Sequence, residues 1–208
     1  MDHTDFALAF TDGATITDSE GTIATMRVHP LGDLVAPTGQ IIACDPLTSV
    51  ELIPFAQRIE PGRYPVLASV AELGEDQRVA CAMVRLSEAP VARWEMARFE
   101  GQENVTLLED EFFSYPVDAG VGSFLDVRAG VALEANYESD EAYHEKLIEH
   151  LEEHHADSWE WANVALDAAS GANIVLFASG WGDGIYASYW GYAADGSLAC
   201  LVTDFSVL

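Results

Sequence analysis

Apolar residues recur every second position along much of the chain, the period of a β-strand whose two faces meet different surroundings. Thr22–Val28 is one such run. Gln40–Cys44 is a shorter one, closed by Asp45-Pro46 because proline has no N–H to give a ladder. Glu60-Pro61-Gly62-Arg63 predicts a type II turn, with Pro61 presetting φ and Gly62 taking the positive φ that follows; a strand over 63–70 comes next. Over 78–87, Val79, Cys81 and Met83 share one face and Ala80, Ala82, Val84 and Leu86 the other. Both faces are apolar, which predicts a central strand covered on both sides. Residues 94–99 fit a strand or a short helix equally well, and 115–126 reads as two short apolar segments around a glycine-containing middle. The first 40 residues are weakly patterned. Thr11-Asp12-Gly13-Ala14 and Asp18-Ser19-Glu20-Gly21 are turn signals, and Glu109-Asp110-Glu111 is a charge cluster with the look of a solvated loop.

One segment carries helical spacing. Residues 139 to about 168 predict a helix capped by Ser139 or Asp140, with a core-facing stripe of His144, Ile148, Leu151 and His155 and a break near Ala156-Asp157. Gly171 supplies the stop. The tail returns to strands: 174–177, the tight loop Ser179–Gly184, and a hairpin of 185–192 and 198–205 about Ala194-Asp195-Gly196. The fold class expected is therefore α+β, mostly β. It is a twisted antiparallel sheet or two packed sheets, with one long helix inserted before the C-terminal strands. A length of 208 residues suits a single domain over 1–208, with 1–34 as an N-terminal extension of a core over 35–208.

Composition narrows the partners. Thirty-five acidic residues stand against 9 basic ones, a formal charge of -26. Phosphate binding requires clustered Lys and Arg, so neither nucleic acid nor an anionic membrane is expected as a partner. A basic protein remains, because complementary charge speeds encounter; simple solubility explains the same charge. Lys146 is the only lysine against eight arginines, and alanine is abundant, the usage of a GC-rich bacterial genome whose proteins are commonly acidic. Met1-Asp2-His3-Thr4-Asp5 has neither the positive region nor the apolar run of a secretory signal. No stretch approaches the ~20 apolar residues of a membrane helix, so a cytoplasmic location is expected. Cys44, Cys81 and Cys200 are widely spaced within apolar runs and read as buried free thiols.

Several separated segments carry a family likeness in the right order. They are Gly39-Gln40-Ile41-Ile42-Ala43-Cys44-Asp45-Pro46-Leu47, Pro61-Gly62-Arg63-Tyr64-Pro65-Val66, Arg78-Val79-Ala80-Cys81-Ala82, and Pro90 through Trp94-Glu95-Met96-Ala97. Pro116-Val117-Asp118-Ala119-Gly120 with Phe124 and Asp126, then Ser179 to Tyr189, then Thr203-Asp204-Phe205, complete the set. From about residue 35 onward the chain resembles the bacterial family known as domain of unknown function forty-two forty-one. The resemblance implies no activity, so function is read from the residues.

Four groups of residues are chemical candidates. Asp45, Asp118, Asp126, Asp183 and Asp204 lie beside small residues, and hard cations need several oxygen ligands on adaptable backbone. If three of Asp118, Asp126, Asp183 and Asp204 converge, a metal site or a general acid–base pair is credible, with Asp118, Asp183 and Asp204 as the metal candidates. If they do not, they are turn residues and acceptors of backbone N–H groups, with Asp204 pairing Arg63 or Arg128. His150 and His154 share a helix face at i, i+4, but Leu151 occupies the place of the metalloprotease glutamate. Ser179-Gly180-Trp181-Gly182 is not a nucleophile elbow, since its serine precedes both glycines. Trp181, Tyr186, Tyr189, Trp190 and Tyr192 crowd the last hairpin, as a recognition surface or as cross-strand packing.

The leading expectation is a non-catalytic, acidic protein-binding module whose recognition residues are Trp181, Asp183, Tyr186 and Trp190. Its concrete version is an immunity-type protein that neutralises a basic toxin. The alternatives are a metal-assisted hydrolase using Asp118, Asp126, Asp183 and Asp204 and a small-ligand or carbohydrate binder at Trp181, Tyr186 and Trp190. No cofactor is expected beyond a divalent cation for the hydrolase.

Overall fold

The computed structural model describes residues 6–17, 21–48, 52–108, 111–156 and 158–208. Asp18-Ser19-Glu20, Glu109-Asp110 and Asp157, on which expectations above fall, lie outside the described residues. In chain order the elements are α1 (Phe6–Ala9), β1 (Thr15–Thr17), β2 (Ile23–Ala36), β3 (Ile41–Cys44), β4 (Gly62–Leu73), β5 (Asp76–Arg85), β6 (Val91–Met96), β7 (Tyr115–Val117) and β8 (Val121–Asp126). They continue with α2 (Val127–Ser139), α3 (Tyr143–Glu152), β9 (His155–Ala156), β10 (Trp159–Asp167), β11 (Ala172–Ala178), β12 (Gly184–Tyr186), β13 (Ser188–Ala193) and β14 (Leu198–Asp204). Among the described residues the strands form a seven-stranded sheet, β1-β2-β4-β5-β14-β13-β6, a five-stranded sheet, β3-β8-β11-β10-β9, and the pair β12-β7. The fold is mostly β, built of curled antiparallel sheets, with α2 and α3 ahead of the C-terminal strands.

Side-chain alternation assigns each strand residue to a layer. In the five-stranded sheet Ala43, Phe124, Val175 and Phe177 face the large sheet and join its core, beside Met26, Leu34, Val66 and Val84. Their neighbours Ile42, Leu125, Ile174 and Leu176 face the other way and meet Leu133 of α2 and Leu147 and Leu151 of α3. The result is three layers: large sheet, small sheet, helices. β5 lies between β4 and β14, and Val79 through Val84 are buried without exception, as two apolar faces require. Phe6 of α1 is fully buried and stacks edge-on against Trp94 at 4.9 Å. β2 runs without interruption across residue 34 and pairs with β4 on both sides of it.

Four local expectations need correction. The single long helix expected over 139–168 is one short helix, α3, followed by the strands β9 and β10, with α2 ending where the expected helix begins. α2 begins earlier, at Val127, capped by Asp126, whose carboxylate accepts the Arg128 N–H. α3 ends at Glu152, and Trp159–Asp167 pairs antiparallel with β11. Neither Ser139 nor Asp140 is the N-cap of α3, which is Ala142 without a side-chain hydrogen bond; Asp140 is the C-cap of α2, and its carboxylate accepts the Ala142 N–H at 3.0 Å and meets Lys146 at 2.9 Å. The helix stripe that meets the core is Leu147 and Leu151, whereas Ile148 is exposed and His155 lies beyond α3. Gly62 does not have a positive φ. The left-handed glycine of that region is Gly39, at φ 70°, where an added Cβ would stand 2.1 Å from the Ile59 carbonyl oxygen.

A polar tie joins the two sheets. β2 breaks register between Pro30 and Asp33, where Gly32 takes φ 90°. The freed backbone groups find asparagines of the small sheet. Asn173 accepts the Val35 N–H at 2.7 Å and donates to the Asp33 carbonyl at 2.8 Å, while Asn163 donates to the Leu31 carbonyl at 3.1 Å. No helix of the described chain is long and apolar enough to cross a membrane.

Candidate binding site around Trp181

The strand β11 ends at Ala178, and the chain turns through Ser179–Gly184 before β12. Gly180 and Gly182 take φ of 60° and 110°, conformations that side chains resist. The turn is pinned from inside. Ser179 donates its hydroxyl to the Gly182 carbonyl at 2.9 Å, and the Tyr186 hydroxyl reaches the same oxygen at 2.7 Å. The Ser179 N–H reaches the Gly120 carbonyl at 3.0 Å, and a Cβ on Gly180 would sit 2.9 Å from the Phe205 carbonyl oxygen. A loop so fixed carries its remaining side chain outward: Trp181 is 57% exposed.

Arg78 of β5 lies over the Trp181 ring, 4.8 Å from its centroid. Asp76 orients that guanidinium through Nε at 3.0 Å and a terminal nitrogen at 2.9 Å. A groove of about 260 Å³ runs beside them, lined also by His155, Ser158, Trp159 and Glu160. The His155 ring nitrogen stands 3.5 Å from the Glu160 carboxylate. The Trp159 indole N–H is buried without a hydrogen-bond partner among the described residues. Trp181 and Asp183 are thus presented to solvent, but the other two expected recognition residues are not. Tyr186 and Trp190 are 6% and 3% exposed and belong to the core, Tyr186 against Phe205 at 5.1 Å and Trp190 against Phe55 at 5.9 Å. Burial pushes the Tyr186 phenol up, with the Asp183 carboxylate adding to the effect. Sequence reasoning passed over Arg78, Trp159 and Glu160. Trp159-Glu160-Trp161 fell inside the segment read as helix, and nothing local in Arg78 tells that it meets Trp181.

The aspartates do not converge. Among the described residues no three of His, Cys, Asp and Glu come together as metal ligands. Asp45, fully buried, accepts the N–H groups of Leu47 at 2.9 Å, Asp118 at 2.9 Å and Ala119 at 2.7 Å. Asp126 divides its oxygens between Arg128 and Thr38, taking the Thr38 hydroxyl at 2.8 Å. Asp204 accepts the Ser206 N–H at 2.9 Å. Asp118 and Asp183 are exposed. Arg63 and Arg128, the arginines considered for Asp204, meet Asp33 and Asp167 instead, at 3.6 and 2.8 Å. His150 lies near Glu153 at 3.7 Å, and His154 packs on Trp161 at 4.5 Å, so the i, i+4 pair shares no third ligand among the described residues. All three thiols are buried and free, and burial holds Cys44 and Cys200 up at about 12, far from the thiolate a nucleophile needs.

No curated protein and no solved structure matches the chain. A family model does, over residues 34–203, the stretch that holds nearly every strand described above and the whole Trp181 loop. With that share of its length matched, the chain belongs to the family described as "Protein of unknown function (DUF4241)".

Proposed function

We propose that this protein is a non-catalytic binding module that meets a basic protein partner through Trp181 and the acidic surface around it. The observation that carries the reading is Trp181, a large ring left 57% exposed on a loop that the core holds in place. Aromatic anchors on rigid supports concentrate binding energy, since little ordering entropy remains to be lost. Burying the open face of such a ring contributes roughly 2–3 kcal/mol. The formal charge of -26 supplies the attraction and selects the sign of the partner. An immunity-type pairing with a basic toxin is the form that fits this combination most directly. The metal-assisted hydrolase has no support from the scattered aspartates, and the carbohydrate reading keeps only Trp181 of its three rings.

The test is affinity capture from the native lysate with the wild-type chain and with Trp181→Ala, at low salt and at about 0.5 M NaCl, where the Debye length falls to a few ångströms. A basic protein recovered by the wild type at low salt, and lost in both other conditions, supports the reading. Equal recovery by Trp181→Ala removes Trp181 as the anchor, and recovery of no basic protein overturns the reading.

A further inference from the structure

A second cavity, of about 430 Å³, is distinct from the Trp181 groove. It opens between the end of β3, the start of β7 and the segment 99–102. Its size falls in the range of small-molecule sites, roughly 300–1,000 Å³. The inner wall is apolar: Ala43, Cys44, Phe99 and Tyr115 are all buried, and Ile53 and Pro116 extend the lining outward. The two heteroatoms of that wall carry no charge. Burial pushes the Cys44 thiol up to about 12 and raises the Tyr115 phenol further still, so both stay protonated. The Tyr115 oxygen is turned to the interior, where a Cβ on Gly122 would stand 3.2 Å from it.

The lining's charge is all of one sign. Glu100 and Asp118 are exposed lining residues, and neither carboxylate has a hydrogen bond or ion pair among the described residues. Thr48, Gln102 and Ser114 complete the polar part, and among the described residues no Lys, Arg or His lines the cavity. An anion would meet two carboxylates with no counter-charge. A neutral apolar molecule would gain burial alone. A cation on an apolar stem gains both burial and charge-assisted hydrogen bonds.

We propose that this cavity binds a small organic cation, an amine or guanidine on an apolar stem about the size of a phenyl ring, with its stem against Phe99, Ile53 and Tyr115 and its head toward Glu100 and Asp118. The site is separate from the Trp181 face and does not rest on the partner reading.

The test uses the full chain and three probes of one shape and different charge: phenethylamine, 2-phenylethanol and phenylacetate. Each is titrated in two-dimensional amide NMR at pH 7 and about 0.15 M salt. Phenethylamine should shift amides of residues 43–44, 99–102 and 114–118 saturably. 2-Phenylethanol should bind about tenfold more weakly, the worth of roughly 1.4 kcal/mol in charge-assisted contacts, and phenylacetate should not bind. The double variant Glu100→Gln, Asp118→Asn changes only exposed side chains and should keep the wild-type spectrum elsewhere while losing the tenfold preference. The control matters because a chain of charge -26 attracts cations everywhere, and removing two carboxylates abolishes a preference only if it arises at this cavity. Equal binding of amine and alcohol, a preference that survives in the double variant, or no saturable shift at these residues would each overturn the proposal.

Discussion

Asp45 shows how a carboxylate of this protein is used. It has no exposed surface, and its two oxygens accept three backbone N–H groups from Leu47, Asp118 and Ala119. Replacing it by alanine leaves those donors without acceptors, at about 1–3 kcal/mol for a buried group. Asp45→Ala is therefore expected to lose about 3 kcal/mol in urea denaturation, and Asp45→Asn less, since one oxygen remains. A loss under 1 kcal/mol would show that water replaces the carboxylate there. Asp167 has the opposite setting, at the surface. The Ser170 hydroxyl first, then the Arg128 guanidinium and the Ala169 N–H, hold its carboxyl down at about 2. A carboxyl with a depressed folded value stabilises the fold above its unfolded value, near 3.9. That contribution fades as pH falls from about 4 through 2. The stability gap between the wild type and Asp167→Asn should be widest above pH 5 and should narrow toward pH 2; a gap independent of pH would mean that the carboxyl is not paired in solution. For Asp45 the sequence offered two readings, a metal ligand or an acceptor of backbone N–H groups, and its hydrogen bonds show the second; the Asp167 role was not legible. The sequence marked Asp45, Asp118, Asp126, Asp183 and Asp204 alike, because a small neighbour makes a turn aspartate and a ligand aspartate look the same. Only the tertiary fold, bringing the 118–119 backbone to Asp45, separates them.

At the scale of elements, the sheet strands were legible wherever their two faces were both apolar, as in β5 and β11. The segment after residue 139 was not. Ala162, Ala165 and Leu166 favour a helix intrinsically, but the alternation of Trp159 and Trp161 against Ala162, Val164 and Leu166 is that of a strand between two cores, and pairing with β11 overrides propensity. The same strand pair carries Asn163 and Asn173, which sequence reasoning left unremarked because the β2 carbonyls they reach lie 130 or more residues away in the chain. They settle the β2 bulge. Asn173→Ala removes the acceptor of Val35 and a donor to Asp33 at a site 5% exposed, and a loss of about 2 kcal/mol in chemical denaturation is expected. A neutral Asn173→Ala would show that the bulge is held by strand pairing alone. Trp181 depends on its own element in the same way. Gly180→Ala puts a methyl 2.8 Å from Val207 and 2.9 Å from the Phe205 carbonyl at a φ that alanine resists. It should therefore weaken partner capture through the loop's displacement even with Trp181 intact.

The whole molecule is governed by an imbalance of charge that its ion pairs do not relieve. Arg27, Arg63, Arg78, Arg85, Arg93, Arg128 and Lys146 each already meet a carboxylate. Arg98 is turned to the carbonyls of Gln102 and Val105. Eight of the nine cations are thus locally committed, Arg58 being the exception among the described residues, and the excess of 26 negative charges acts as a self-repelling surface that favours expansion. Salt shortens the range of that repulsion from about 30 Å at 0.01 M to about 3 Å at 1 M. The melting temperature should therefore rise with NaCl, by about 2–8 °C if screening restores 1–2 kcal/mol in a chain of this size. Binding to the proposed basic partner should move the other way, weakening over the same range, because in that proposal the charge that strains the fold is also the charge that attracts. The two signs make one salt series decisive. A fold that gains stability while capture falls is a molecule whose acidity serves recognition at a cost in stability. A flat melting curve would show that the carboxylates are spaced widely enough not to repel, and the case for the partner would then stand on Trp181 alone.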